Sequence, residues 1–85
     1  YTANHIFSYI ELDEQHAIIE VAVPEDWQGR SIGELDIRRR YGVNILGVKR
    51  ENKTDVNISP ETVLDADMTL LVLGENQKLK KHFRL

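Results

Sequence analysis

Apolar and polar residues alternate most cleanly in the first quarter of the chain. From His16 to Val23, Ile19, Val21 and Val23 fall on one face and Ile18, Glu20 and Ala22 on the other. A period of two predicts a strand. Ile6–Leu12 (IFSYIEL) is rich in aromatic and β-branched residues and also reads as a strand, with a first helical turn as the competing reading. The polar break Asp13-Glu14-Gln15 is short enough to join the two as a hairpin. Pro24 ends the second strand, because proline has no amide hydrogen to give a ladder. Residues 24–30 then read as a polar loop in which Trp27 packs as a lid over the edge of the core.

The pattern changes at Ser31. Ser31-Ile32-Gly33-Glu34 fits a capping box: the Ser31 hydroxyl takes an orphan amide and Glu34 reaches back. Ile32 and Leu35 share a helical face, and Arg38, Arg39 and Arg40 fill the last turn, where cations complement the carbonyl end of the helix. Gly42 stops the helix in the left-handed conformation. Val43–Lys49 returns to strand, with Gly47 marking a bulge or a close backbone approach. Arg50–Asp55 reads as a charged turn, Val56–Ser59 as a short strand, and Ser59-Pro60-Glu61 as the start of a helical turn. Met68–Leu73, the most apolar run, predicts a central strand ended by Gly74. Asn76 caps a last helix, Gln77–Arg84, whose apolar stripe is Leu79 and Phe83. The sum is an α+β fold: a small sheet of about four to five strands with two helices.

Composition narrows the class. At 85 residues there is room for one domain. The lack of cysteine excludes disulfides and Cys-based zinc and suits a reducing compartment. No apolar run approaches the roughly 20 residues that span a bilayer. A net charge of −3 argues against general binding to a nucleic acid polymer, which needs a basic face, but leaves room for a local basic pocket that holds a small anion. The chain starts at Tyr1 and its single methionine is Met68, so it reads as an excerpt of a longer protein whose missing part precedes Tyr1.

Catalytic chemistry finds little support. His5, His16 and His82 are far apart in segments that read as exposed, and no metal-ligand cluster emerges. Ser8, Ser31 and Ser59 lack an evident base, and Asp65 with Asp67 is most simply a turn before a strand. Neither phosphate-loop signature occurs. The chain therefore reads as a non-enzyme. Arg38, Arg39 and Arg40 suit a helix end, and Lys78, Lys80, Lys81 and Arg84 the wet side of the last helix. Folding explains Asp36 and Asn44 less well. Asp36 lies too late in its helix to serve the N-terminal dipole, though it can pair with Arg40 at i, i+4. Asn44 interrupts the apolar strand VNIL, pointing to solvent or to a pocket. A carboxylate acceptor, guanidinium donors and an amide at one junction can recognise a nucleotide.

At these residues the chain resembles the C-terminal lobe of RCK (regulator of K⁺ conductance) domains, also called TrkA-C. The likeness runs from about Ile6 to Phe83. It is carried by Val21–Val23, Leu35-Asp36-Ile37-Arg38, Tyr41-Gly42-Val43-Asn44-Ile45-Leu46 and Pro60…Asp67-Met68-Thr69-Leu70-Leu71-Val72-Leu73-Gly74. Ala66-Asp67 stands where the family often has Gly-Asp. The pattern is most similar to the cytosolic regulatory subunit of Ktr-type potassium uptake systems of Gram-positive bacteria. The resemblance implies that residues 1–85 are an RCK C-terminal regulatory domain, with a nucleotide-binding N-lobe preceding it in the whole protein. It implies a two-fold homodimer that binds cyclic di-AMP at its interface and controls potassium uptake through a membrane transporter subunit, from the cytoplasmic face of the membrane. Asp36, Arg38 and Asn44 match the family's polar contact positions, and Ile32, Ile45 and Pro60 its apolar positions beside the bases. The alternative is a ligand-free dimerisation lobe of an RCK-type channel or antiporter subunit.

Overall fold

Strand β2 (His16–Ala22) alternates buried and half-buried side chains along its whole length, as its period of two requires. The computed structural model describes residues 6–83; the predictions for His5 and Arg84 fall outside them. β1 (Ile6–Glu11) pairs antiparallel with β2, joined by a turn in which Asp13 Oδ1 accepts from the Gln15 and His16 amides. A short 3-10 turn (Glu25–Trp27) leads into β3 (Arg30–Ser31). Helices α1 (Ile32–Leu35) and α2 (Ile37–Tyr41) follow, then β4 (Asn44–Arg50) and β5 (Lys53–Asp55). β6 (Val63–Leu64), β7 (Thr69–Glu75) and α3 (Asn76–Phe83) complete the order.

The main sheet has five antiparallel strands in the order β1-β2-β7-β4-β5, so the Met68–Leu73 run is central, as its apolarity predicts. All helices pack on one face. There Ala17, Ile19, Val21, Leu70 and Val72 meet Trp27, Leu35, Ile37, Leu64, Leu79 and Phe83 in one buried cluster. Trp27 is a core residue: it stacks at 5.0 Å on Tyr41 and edge-on at 5.6 Å against Phe83, so it ties the loop to α2 and α3.

Several details depart from the sequence reading. The single helix after Ser31 is two short ones, broken at Asp36 (φ 51°, ψ 51°). The Ser31 hydroxyl caps α1 as expected, accepting from the Glu34 amide at 3.1 Å. Gly42 ends α2 at φ 72°, a conformation that costs glycine nothing. Val56–Ser59 forms no strand; the ladder partner of β4 is Lys53–Asp55, reached through Glu51 and Asn52, both at positive φ as in a type I′ turn. The Asn57 and Ser59 amides go instead to Asp55 Oδ1 and Thr62 Oγ1. Pro60 and Glu61 form a turn, not a helix. Gly74 lies inside β7 rather than ending it, and Asn76 holds the β1–β2 hairpin, accepting from Tyr9 OH and donating to Glu14 O. Gly47 follows a register shift between Ile45 and Gly47, the predicted bulge.

His82 is half-buried rather than exposed, stacked edge-on over Tyr41 at 4.9 Å. Burial, reinforced by the nearby charges of Lys81 and Lys78, holds its pKa below the ordinary imidazole value. The folded state therefore disfavours protonated His82. As pH falls below about 6.5 the unfolded chain takes up this proton first, and stability declines until the folded group titrates too. Thermal melts at pH 7.5 and pH 5 should show a smaller acid-side loss for His82→Gln than for the unsubstituted chain. Equal losses would reject this role for His82.

Candidate functional site

A tertiary contact anchors the first turn of α1, just before the break at Asp36. The amides of Ile32 and Gly33 donate to Thr62 O (2.9 Å) and Pro60 O (2.8 Å), which pins the first turn of α1 to the 60–62 segment. Gly33 has no side chain to keep Pro60 away: a Cβ built there would lie 3.0 Å from both Pro60 Cβ and Pro60 O. α1 then closes after one turn, with the Asp36 amide shared between Ile32 O (3.1 Å) and Gly33 O (3.2 Å). Asp36 takes the left-handed conformation, which aspartate tolerates better than most residues. α2 restarts from it, with the Arg40 amide bonding to Asp36 O at 2.9 Å.

This geometry orients the polar set. Asp36 Oδ2 accepts from Arg39 Nε at 2.7 Å, so its partner is Arg39 at i, i+3 and not Arg40. Arg38 Nε donates to Asn44 Oδ1 at 2.8 Å, across the reversal that Gly42 makes between α2 and β4. The Nε of Arg38 is occupied and the Nη edge of its guanidinium stays available for an oxyanion. Asn44 likewise keeps its amide nitrogen as a donor, and Asp36 keeps Oδ1 as an acceptor. Arg38 is exposed, whereas Asp36 and Asn44 are half-buried.

The apolar positions divide into two groups. Ile32 neighbours the Gly33–Pro60 contact, so Ile32 and exposed Pro60 sit together at the start of α1. Ile45 follows Asn44 on β4, and both Ile32 and Ile45 are partly buried against the core. Among the described residues, Arg38 and Asn44 are in direct contact, and Gly33, next to Ile32, meets Pro60. Sequence reasoning missed two contributors: Arg39, which holds the Asp36 carboxylate, and Gly33, which admits Pro60. The i, i+3 spacing of Asp36 and Arg39 was the available signal for the first.

Among the described residues no group of three His, Asp or Glu side chains could hold a metal ion, and no helix is long and apolar enough to cross a membrane. Asp65 and Asp67 both accept from Arg50 Nη2, at 2.6 and 3.3 Å, tying the end of β4 to the turn before β7.

Comparison with known proteins bears on the family. Residues 17–85 match the model of the TrkA-C domain. The chain is 32% identical over 72 residues to Ktr system potassium uptake protein C of Bacillus subtilis (strain 168), covering 85% of this chain and 33% of that protein. It spans about a third of the length of the curated relatives it matches. Among solved structures, the GsuK RCK domain superposes with a TM-score of 0.79 at 28% identity, over 99% of this chain and 18% of that one. The RCK C domain of the potassium transport protein KtrA, solved in complex with cyclic diadenosine monophosphate, superposes with a TM-score of 0.73 at 32% identity, over 81% of each chain. On the match over residues 17–85, this chain belongs to the TrkA-C domain family.

Proposed function

We propose that this chain is a regulatory ligand-sensing domain of a potassium transport system, binding cyclic di-AMP between two copies of itself. The observation that carries the reading is the Arg38–Asn44 hydrogen bond beside left-handed Asp36. It joins a guanidinium to an amide close in sequence to a carboxylate, and the KtrA domain solved with cyclic di-AMP shares this fold. Cyclic di-AMP is two-fold symmetric, and an isologous dimer presents every contact twice about its axis. Arg38 Nη forks a phosphate, Asn44 donates to phosphate or ribose, and Asp36 Oδ1 accepts from the adenine amine. Ile32, Ile45 and Pro60 flank the bases. The domain carries no catalytic step. Its partner is a dinucleotide rather than a nucleic acid polymer, and it acts in the cytoplasm on a membrane transporter subunit through the whole protein. Binding controls uptake to the extent that affinity differs between dimer arrangements.

The mutual pairing of Asp36 with Arg39 and Arg38 with Asn44 also suits a second reading, a ligand-free dimerisation lobe, since each polar group already has a partner. Asp36→Gly separates the two. Glycine removes the cost of the left-handed backbone, loses an exposed ion pair of about 0.3–0.5 kcal/mol, and adds unfolded-chain entropy of about 0.5–1 kcal/mol. These offset, so the melting temperature should shift by only a few degrees. Under the ligand-sensing reading the thermal shift produced by micromolar cyclic di-AMP disappears. A variant that keeps the full shift would remove Asp36 from the site, and an unsubstituted chain with no shift would favour the ligand-free lobe.

A further inference from the structure

Helices α2 and α3 carry six of the chain's eleven Lys and Arg residues (Arg38, Arg39, Arg40, Lys78, Lys80 and Lys81) and none of its fourteen Asp and Glu. Arg39 is neutralised by Asp36. Among the described residues the other five have no carboxylate within ion-pairing distance, although the chain as a whole is acidic. Arg40 and Lys78, together with His82, converge on Tyr41 and Gly42. Arg40 Cζ lies 5.9 Å from the Tyr41 ring centroid, and the His82 ring meets the same ring edge-on at 4.9 Å. The Lys78 stem crosses Gly42: a Cβ built there would lie 3.4 Å from Lys78 Cδ and Cε and 3.7 Å from Nζ. Lys81 precedes His82 on α3, and after burial its charge and that of Lys78 hold the His82 pKa down. Arg40, Lys78 and Lys81 are exposed, and His82 is half-buried.

Helix chemistry accounts for this in part. Arg40 suits the carbonyl end of α2. Lys78, however, is the third residue of α3, at the amide end, where the helix dipole favours a carboxylate and opposes a cation. Its side chain runs to the carbonyl end of α2, where it joins Arg40 and His82 rather than an acid. Cations gathered from two elements repel one another, and an oxyanion among them reverses the sign of that interaction. We propose that Arg40, Lys78, Lys81 and His82, gathered around Tyr41 and Gly42, form a second anion site, which takes a phosphate group. The side chains supply a guanidinium fork, two ammonium groups and an imidazole N–H, which suits a multiply charged anion with several oxygens. A nucleobase finds no free ring to stack on, since Trp27 is 2% exposed and Phe83 7%. The site therefore reads phosphate itself, whether on a free polyphosphate or on a lipid headgroup. It does not use the Arg38–Asn44 pair, and the inference stands without the cyclic di-AMP reading.

Pyrophosphate titrated at constant ionic strength into the ¹⁵N-labelled chain tests this. The expected result is saturable amide shifts at Tyr41, Gly42, Lys78 and His82. The pH at which the His82 imidazole titrates should also rise, because a neighbouring anion favours the imidazolium. Lys78→Met keeps the methylene stem on Gly42 and removes the charge. It should weaken binding at least about fivefold, as should Arg40→Gln. Lys80→Met should leave binding unchanged, since Lys80 is two residues from Lys78 and so on the opposite side of the helix. Flotation with vesicles of phosphatidylglycerol and phosphatidylcholine, against phosphatidylcholine alone, separates the two sources. Flotation with the anionic vesicles that Lys78→Met loses assigns a lipid headgroup, and pyrophosphate binding without flotation assigns a free phosphate. The proposal is overturned if neither probe binds saturably or if Lys78→Met and Lys80→Met behave alike. It is also overturned if Arg38→Ala abolishes the pyrophosphate shifts, which would put the phosphate at the Arg38–Asn44 pair.

Discussion

Trp27→Ala is expected to lower the melting temperature by on the order of 20 °C, because truncating a buried tryptophan costs about 3–5 kcal/mol and each kcal/mol is worth about 4–8 °C in a domain this small. Trp27 is 2% exposed and touches two aromatic rings on two different helices, so the cavity left by its removal cannot close by a local shift. An 85-residue chain has a total stability of about 4–13 kcal/mol, so this one change takes a large share of it. Thermal unfolding followed by circular dichroism reads the effect. A loss under about 5 °C would mean that the 3-10 turn and α2 are not held to the core through this ring.

Arg38→Ala should do the opposite: spare the fold and remove the ligand. Its guanidinium is exposed and, among the described residues, bonds the Asn44 amide alone, so stability should change by less than about 1 kcal/mol. A charge-assisted hydrogen bond contributes about 1.5–3 kcal/mol, and a two-fold site counts it twice. Affinity for cyclic di-AMP should fall at least about 100-fold by calorimetry. Arg38→Lys should restore only part of it, because an ammonium cannot fork a phosphate or hold Asn44 with one edge while binding with the other. An Arg38→Ala variant within threefold of the unsubstituted affinity would show that the phosphate is held elsewhere.

Elements specified by adjacent residues were legible in the sequence. Alternation in β2, the apolar run of β7, the Ser31 cap and the Gly42 stop are local signals, and each stands where expected. Elements that depend on distant partners were not. Pro60 rests on Gly33 just before the left-handed turn at Asp36, a contact that no periodicity encodes. The β3–β6 ladder is two residues long on each side, too short to show alternation. Val56–Ser59 has a strand's composition, but nearby side chains satisfy its amides first. For the candidate site, folding left Asp36 and Asn44 unexplained in the sequence, and the family resemblance added Arg38 between them. The structure adds that Arg38 orients Asn44 while Arg39, rather than Arg40, holds Asp36.

In the proposed reading, two copies of one polar set around a two-fold axis take a single two-fold ligand. Titration calorimetry of the chain with cyclic di-AMP measures this directly. The account predicts saturable heat at micromolar ligand with one cyclic di-AMP for every two chains. No heat, or one ligand for every chain, would contradict it.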